Sequence, residues 1–287
     1  MLPIDIGDFT VSTPDEGWRD YYHKAWQDLC DKAVAAIDAG QFQNAFQAVR
    51  WIERSEVTDQ PAADKGSRFP GGRPMMRDSS FRGNGCLVPR FSDPGYPALL
   101  ADLMEHCGPF DAVVEIGSGW GRNLFDIFYH SAWPGPYFGG ELTSGGRQLA
   151  TRLSPLAGGM EVSFHAYDHT QPDLSFIGAR QNVLVYSVHS LEQVAMLGDD
   201  FFDRLCSFAP KMTGVHIEPF GFQIEQPGPL TQQHAVVNRE RGWNQDFAKT
   251  LHSAQDRGIV QIDSIAAEIF LSSDITNPSS FAMWTSA

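Results

Sequence analysis

An apolar run, Ala112-Val113-Val114-Glu115-Ile116, breaks into Gly117-Ser118-Gly119-Trp120-Gly121 and continues as Arg122-Asn123-Leu124, with Ile127 and Phe128 at helical spacing. That order is a strand, a turn too tight for side chains and a helix start. It is the opening of an α/β unit whose ligand lies against the turn. Glycine lets the backbone come close to a ligand and adopt dihedrals that a Cβ forbids. The spacing is G-x-G-x-G, whereas a dinucleotide fingerprint reads G-x-G-x-x-G and seats a pyrophosphate on the helix N-terminus. Glu115 precedes the first glycine by two residues. A carboxylate there repels pyrophosphate and suits a ligand with an ammonium or sulfonium charge.

Around this stretch the chain alternates apolar runs with helical patterns, as a parallel, doubly wound sheet requires. Strands are expected near residues 111–116, 136–141, 160–166, 182–187 and 212–218, with helices near 120–131, 144–154 and 190–207. Ser190 and Gln193 have capping-box spacing at the start of the last helix. A helix bearing Trp243, Phe247, Leu251 and Ala254 follows, then two strands, Ile259–Phe270 and Ser280–Thr285, joined at Asn277-Pro278. Before the glycine turn, Tyr96, Leu99, Leu100, Leu103 and Met104 share one face of a helix opened by Asp93-Pro94.

The first 92 residues read differently. Thr13-Pro14-Asp15-Glu16 is a strong helix start, and Trp18, Tyr22, Ala25, Trp26, Leu29, Ala33 and Ile37 keep helical spacing up to a stop at Gly40. Phe42, Ala45, Phe46, Val49 and Ile52 give a second amphipathic helix. This hairpin is expected to pack on the main domain or to form a lid over the substrate pocket. From Ser55 to Ser92 no period holds, as in a functional or mobile loop. Its arginines, Arg82 foremost, are candidates to meet a substrate or cofactor carboxylate.

Charge narrows the partners. A net charge of −14 argues against nucleic acid or an anionic membrane, both of which need basic surface. The strongest local exception runs from Arg68 through Arg73, Arg77 and Arg82 to Arg90. No run approaches a membrane span, and Met1-Leu2-Pro3-Ile4-Asp5 lacks the pattern of a signal peptide. Cys30, Cys86, Cys107 and Cys206 are far apart, which suggests reduced thiols in a cytoplasmic protein. A homodimer is left open.

The run E-x-G-x-G-x-G resembles motif I of the class I S-adenosylmethionine-dependent methyltransferases. The resemblance covers roughly residues 95–287 and is strongest at 113–124. It implies a seven-stranded, mostly parallel sheet ending in an antiparallel hairpin, preceded here by a helical extension: residues 1–92 as extension and lid, 93–287 as cofactor domain. It also implies S-adenosyl-L-methionine as methyl donor, held by Glu115, Gly117, Gly119, Gly121 and Asn123. Glu141, at the next strand's end, would accept both ribose hydroxyls. Asp168 would accept from the adenine amino group, with Tyr167 packed on the ring.

The fourth strand's end, Tyr186-Ser187-Val188-His189, lies on the edge where open α/β sheets bind ligands. Tyr186 and Ser187 are expected beside the methionine moiety, and His189 is the first candidate for a general base. His216 and Glu218, two apart on the fifth strand, share a face and are candidates to move a proton or orient an acceptor. They also offer two ligands for a divalent metal, with no third in view, so none is assigned. His165 and His169 flank a strand end and make a poor metal pair. Residues 219–240 read as a pocket loop, with His234 a reserve substrate contact. The expected activity is methylation of a small molecule (a sugar, a natural-product intermediate or an amino-acid derivative), at oxygen more than nitrogen. A short peptide acceptor, an NAD-type oxidoreductase and a non-catalytic binding protein are the alternatives.

Overall fold

The computed structural model describes residues 27, 30–58, 76–81, 87–91, 96–131, 133–224, 235–236, 238–239, 242–267, 269 and 279–287. Two helices come first, α1 at 30–38 and α2, Ala45–Thr58, with Gly40 between them at φ 68°, the stop its position suggests. A two-stranded antiparallel hairpin, β1 (Met76–Phe81) and β2 (Leu87–Phe91), occupies the stretch that lacked any period. Pro89 fits there because β2 is paired on one side only. The start at Thr13, the first helix's Trp and Tyr residues, Arg82 and the Asn277-Pro278 joint lie outside the described residues.

The main sheet is built from β3 (Ala112–Ile116), β4 (Tyr137–Glu141), β5 (Val162–Ala166), β6 (Asn182–Val188), β7 (Lys211–Glu218), β8 (Val260–Ala266) and β9 (Ser280–Ser286). Their order across the sheet is β5-β4-β3-β6-β7-β9-β8, and β9 runs antiparallel to both its neighbours. This is the expected Rossmann-like sheet with its C-terminal antiparallel hairpin. The chain moves outward from β3 to β5, then returns to lay β6 on the other side of β3. The switch point of the sheet therefore falls between β3 and β6, and their carboxyl ends bound the crevice in which such sheets hold ligands.

Alternation along the strands sorts the core into two layers. Val113, Tyr137, Leu184, Tyr186, Val215 and Ile217 face α3 (Tyr96–Cys107), α4 (Arg122–His130) and α5 (Ser144–Leu153). Cys30, Ala33, Ala45, Ala48, Val49 and Ile52 join that same cluster, so the described N-terminal helices share a core with the sheet. Arg50 reinforces the join through an ion pair to Asp126 of α4, and Arg152 of α5 lies 3.4 Å from Asp38. On the other face Val114, Ile116, Val183, Val185, Met212 and Trp284 pack on α6 (Phe201–Cys206) and α7 (Phe247–Asp256).

One expected helix is not formed as such. Residues 190–207 were expected to be helical throughout; instead a single 3-10 turn, Leu191–Gln193, is separated from the short α6. Ser190 does not cap Gln193, because its N–H goes to Glu218 and its hydroxyl to the Ile116 carbonyl. The segment between bonds elsewhere: Leu197 N–H and Gly198 N–H donate to the Asp246 carboxylate, and Asn244 N–H donates to the Glu192 carbonyl. Tertiary partners replace the helical ladder.

Gly214 marks where the sheet and Trp284 meet most closely: a Cβ there would stand 2.0 Å from the indole. Trp284 is fully buried, so it has no space to retreat. Gly214→Ala is expected to cost on the order of 1–3 kcal/mol through overpacking. A urea denaturation midpoint that does not fall would contradict this packing.

Candidate functional site

The site begins with the glycine turn. Gly117, Gly119 and Gly121 have φ of 75°, 54° and 82°, all in the left-handed region. At Gly117 space is as limiting as backbone: a Cβ would lie 2.4 Å from Ser190 Cβ and 2.9 Å from His169 Nε2. The turn from β3 is thus pressed against residues that follow β5 and β6. Gly121 is the N-cap of α4, whose first N–H groups carry no side-chain cap.

Two carboxylates stand at the strand tips on the α4 side. Glu115 is 1% exposed; its Oε1 accepts from Asn123 Nδ2 at 2.6 Å. The Tyr186 phenol stands against the same carboxyl as a weaker hydrogen-bonding neighbour, outside the geometry of a full hydrogen bond to Oε2. Burial pushes the Glu115 carboxyl up to about 8, against weaker opposing effects of Asn123, Tyr186 and Arg122. Glu141 Oε1 accepts from Thr143 N–H at 2.8 Å and from the Thr143 hydroxyl at 2.6 Å, while Oε2 accepts from Gly119 N–H at 2.9 Å. It therefore ties its own loop to the glycine turn and keeps one of its roughly four acceptor positions for another donor.

Buried polar atoms gather around the same turn. Ser118 Oγ, the Tyr167 hydroxyl and His169 Nδ1 have no hydrogen-bond partner among the described residues. Tyr167 and His169 meet edge to face, 5.2 Å between ring centres. Burial lowers His169 to about 4 and raises the Tyr167 phenol well above its usual value. Asp168, between them, spends Oδ1 on Thr170 N–H at 2.8 Å and the Thr170 hydroxyl at 2.7 Å, closing its own turn.

The other candidates divide between the two faces of the sheet. Tyr186 points with Glu115 to the α4 side and is fully buried; Ser187, the next residue, points the opposite way and is sealed as well. The two side chains therefore lie on opposite faces of the sheet at the end of β6. Ser187 Oγ lies 2.9 Å from His216 Nδ1, and Trp284 Nε1 donates to His216 Nε2 at 3.0 Å. Both ring nitrogens of His216 are occupied inside an aromatic nest of Phe202, Phe247 and Trp284, and burial lowers it to about 3. It has no nitrogen left for an acceptor or a metal. Among the described residues, no group of three or more His, Cys, Asp or Glu side chains is placed to hold a metal ion.

Glu218 is buried and accepts from Ser190 N–H with both oxygens, at 3.1 and 2.9 Å. Its carboxyl is pushed up to about 7, mainly by burial and then by nearby Glu192. His189 keeps a side chain 20% exposed. Its Nε2 lies 3.0 Å from the Tyr96 hydroxyl and 2.8 Å from Ser279 Oγ, and its Nδ1 lies 3.5 Å from Glu192 Oε2. Sequence reading missed Ser118, His169, Tyr96, Glu192 and Ser279 as members of the site. Only His169 carried a signal, its place just past a strand end. Arg82 and His234 lie outside the described residues.

No protein-family model and no curated protein sequence matches this chain. Solved structures do. The magnesium protoporphyrin IX methyltransferase of Synechocystis, with bound S-adenosylhomocysteine, is 14% identical; the match covers 68% of this chain and 84% of that one, with a TM-score of 0.49. The N-methyltransferase NodS of Bradyrhizobium japonicum, in complex with the same molecule, is 12% identical over 85% of this chain and 98% of its own, with a TM-score of 0.49. The geranyl diphosphate C-methyltransferase of Streptomyces coelicolor is 15% identical over 66% and 78%, with a TM-score of 0.44.

The buried Glu115 makes a pH-dependent prediction. Its folded carboxyl is raised from 4.5 to about 8, so its contribution to stability is complete below about pH 4.5 and is lost as pH rises towards 8. Glu115→Gln does not titrate and should gain stability relative to the parent chain across that window. Urea midpoints at pH 5 and pH 8 test this; an unchanged difference between the two proteins would refute the assignment.

Proposed function

We propose that this chain is a class I S-adenosyl-L-methionine-dependent methyltransferase acting on a small molecule: a sugar, a natural-product intermediate or an amino-acid derivative. The observation that carries the reading is Glu115, a carboxyl group sealed beside a left-handed glycine turn with one oxygen left without a full hydrogen bond among the described residues. A site of that chemistry favours a cation. Glu141 stands on the same side of the sheet, and a cationic ligand would draw Glu115 into its ionised form, whereas a pyrophosphate would gain nothing from either acid, which disfavours an NAD-type oxidoreductase.

The residues fit a sulfonium nucleoside. Glu115 with Asn123 faces its ammonium group, the Glu141 acceptor position its ribose, and Tyr167 and Asp168 its adenine. Ser118 and His169 supply further polar atoms along the same wall. The donor brings an electrophilic methyl group; the chain's task is to hold the acceptor atom in line with it, since proximity and orientation supply much of the acceleration. His189 is the base of this proposal because it keeps its side chain partly open, whereas His216 and Glu218 support the frame. Residues 1–92 are read as a cover over the acceptor side. The seating of α2 on α4 supports their docking on the main domain.

Titration calorimetry tests the reading. S-adenosylmethionine and its demethylated product should both bind, and NADH should not. Glu141→Ala should weaken both by on the order of 1–3 kcal/mol, the value of charge-assisted hydrogen bonds. Absence of binding by the intact chain, or affinity untouched by Glu141→Ala, would sink it.

A further inference from the structure

His189 is the single non-glycine residue among those described with a left-handed backbone, φ 49°. That conformation is strained for a residue with a Cβ and persists where surrounding structure enforces it. Here the enforcing partners are visible. His189 N–H donates to the Ile217 carbonyl at 3.0 Å, and the next N–H, of Ser190, is clamped by Glu218. Glycine would occupy such a position with less strain. The chain instead places an imidazole there and surrounds it with hydroxyls from two other parts of the fold and a carboxylate three residues further on.

Those groups form a connected path. The Tyr96 hydroxyl, from α3, is hydrogen-bonded to Ser279 Oγ, just before β9, and both lie within reach of His189 Nε2. Tyr96 and Ser279 are both buried. On the far side of the ring, Glu192 Oε2 lies 3.5 Å from Nδ1, an ion-pair distance. The contact is electrostatic, without a hydrogen bond; a carboxylate on that side favours the proton on Nδ1 and so leaves Nε2 as the acceptor. Among the described residues, the other titratable groups facing the ring are Tyr96 and, across Ser190, Glu218, whose charge also favours an imidazolium.

We propose that Tyr96, Ser279 and Glu192 hold His189 as a general base, and that the acceptor is therefore a hydroxyl group. This rests on the methyltransferase reading. Methylating a hydroxyl forms an O–CH3 bond, breaks the S–CH3 bond with its electron pair retained by sulfur, and releases the O–H proton. That proton ends on His189 Nε2, reaching it directly or through the Tyr96 and Ser279 hydroxyls, and Glu192 balances the imidazolium. A primary amine has less need of such a path, because mild assistance suffices to remove its proton. Glu192 is the positioning residue, Tyr96 and Ser279 form the proton path, and His189 receives the proton.

The full-length chain saturated with S-adenosylhomocysteine, labelled with 15N-histidine, provides a test that needs no known acceptor. His189 should show the Nδ1–H tautomer, and Glu192→Gln should lower its titration midpoint by about one pH unit or more. An Nε2–H tautomer, or a midpoint unmoved in Glu192→Gln, overturns the proposal. Product release from S-adenosylmethionine with a panel of phenols, sugars and primary amines adds a second arm. Turnover of hydroxyl compounds, reduced roughly 10²-fold by His189→Gln, supports it, and turnover of amines alone overturns it. Should the intact chain fail to bind S-adenosylhomocysteine, the methyltransferase reading fails as well; binding with the wrong tautomer removes this inference alone.

Discussion

The carboxylate of Glu218 is the fastening on which the rest of the site depends. Both its oxygens accept from one N–H, that of Ser190, and the Ser190 hydroxyl in turn donates to the Ile116 carbonyl at 3.0 Å. The tips of β7, β6 and β3 are joined through two residues at the switch point of the sheet. Because Ser190 also fills the space that a Gly117 side chain would need, the same fastening sets how closely the glycine turn sits. It also fixes the bend that places His189 in a left-handed conformation. The glycine turn and His189 are thus coupled through one buried joint.

Burial gives this edge of the sheet an unusual charge state. Glu115 and Glu218 are raised towards and beyond neutrality, while His169 and His216 are lowered far below it. All four shifts have one leading cause, the cost of charge away from water. The two pairs pull stability in opposite directions with pH: the carboxyls favour the folded state on the acidic side, the imidazoles above their ordinary value. An interior held close to neutral can accept a charged ligand without first breaking an internal ion pair. This suits Glu115, whose hydrogen bond to Asn123 leaves one oxygen unused among the described residues.

Much of the fold was legible because the strands announce themselves. The runs around Val113, Phe138, Val183 and Val215 are apolar on both sides, as central parallel strands must be, and their observed limits differ from the expected ones by only a residue or two. Gly40 and the glycine turn were equally readable, since left-handed backbone leaves a mark in composition. The β1–β2 hairpin left none: Met76–Phe81 and Leu87–Phe91 have no alternation, and only their mutual pairing makes them strands. The helix expected at 190–207 failed for the converse reason. Its local signals were sound, but Glu218 and Asp246 claimed the N–H groups that would have formed it.

The sequence by itself determined the sheet, its turn and the acids at the strand tips, because apolar period and glycine placement are local properties. Tertiary structure alone decided which polar residues have anything left to offer. His189 and His216 look alike in the chain, yet one is satisfied by Ser187 and Trp284 and the other is set between Glu192 and two hydroxyls. Tyr96 and Ser279, 183 positions apart, become neighbours only when α3 and β9 close on the edge of the sheet. Hydrogen-bond satisfaction is settled by distance in space, and distance along the chain carries no record of it.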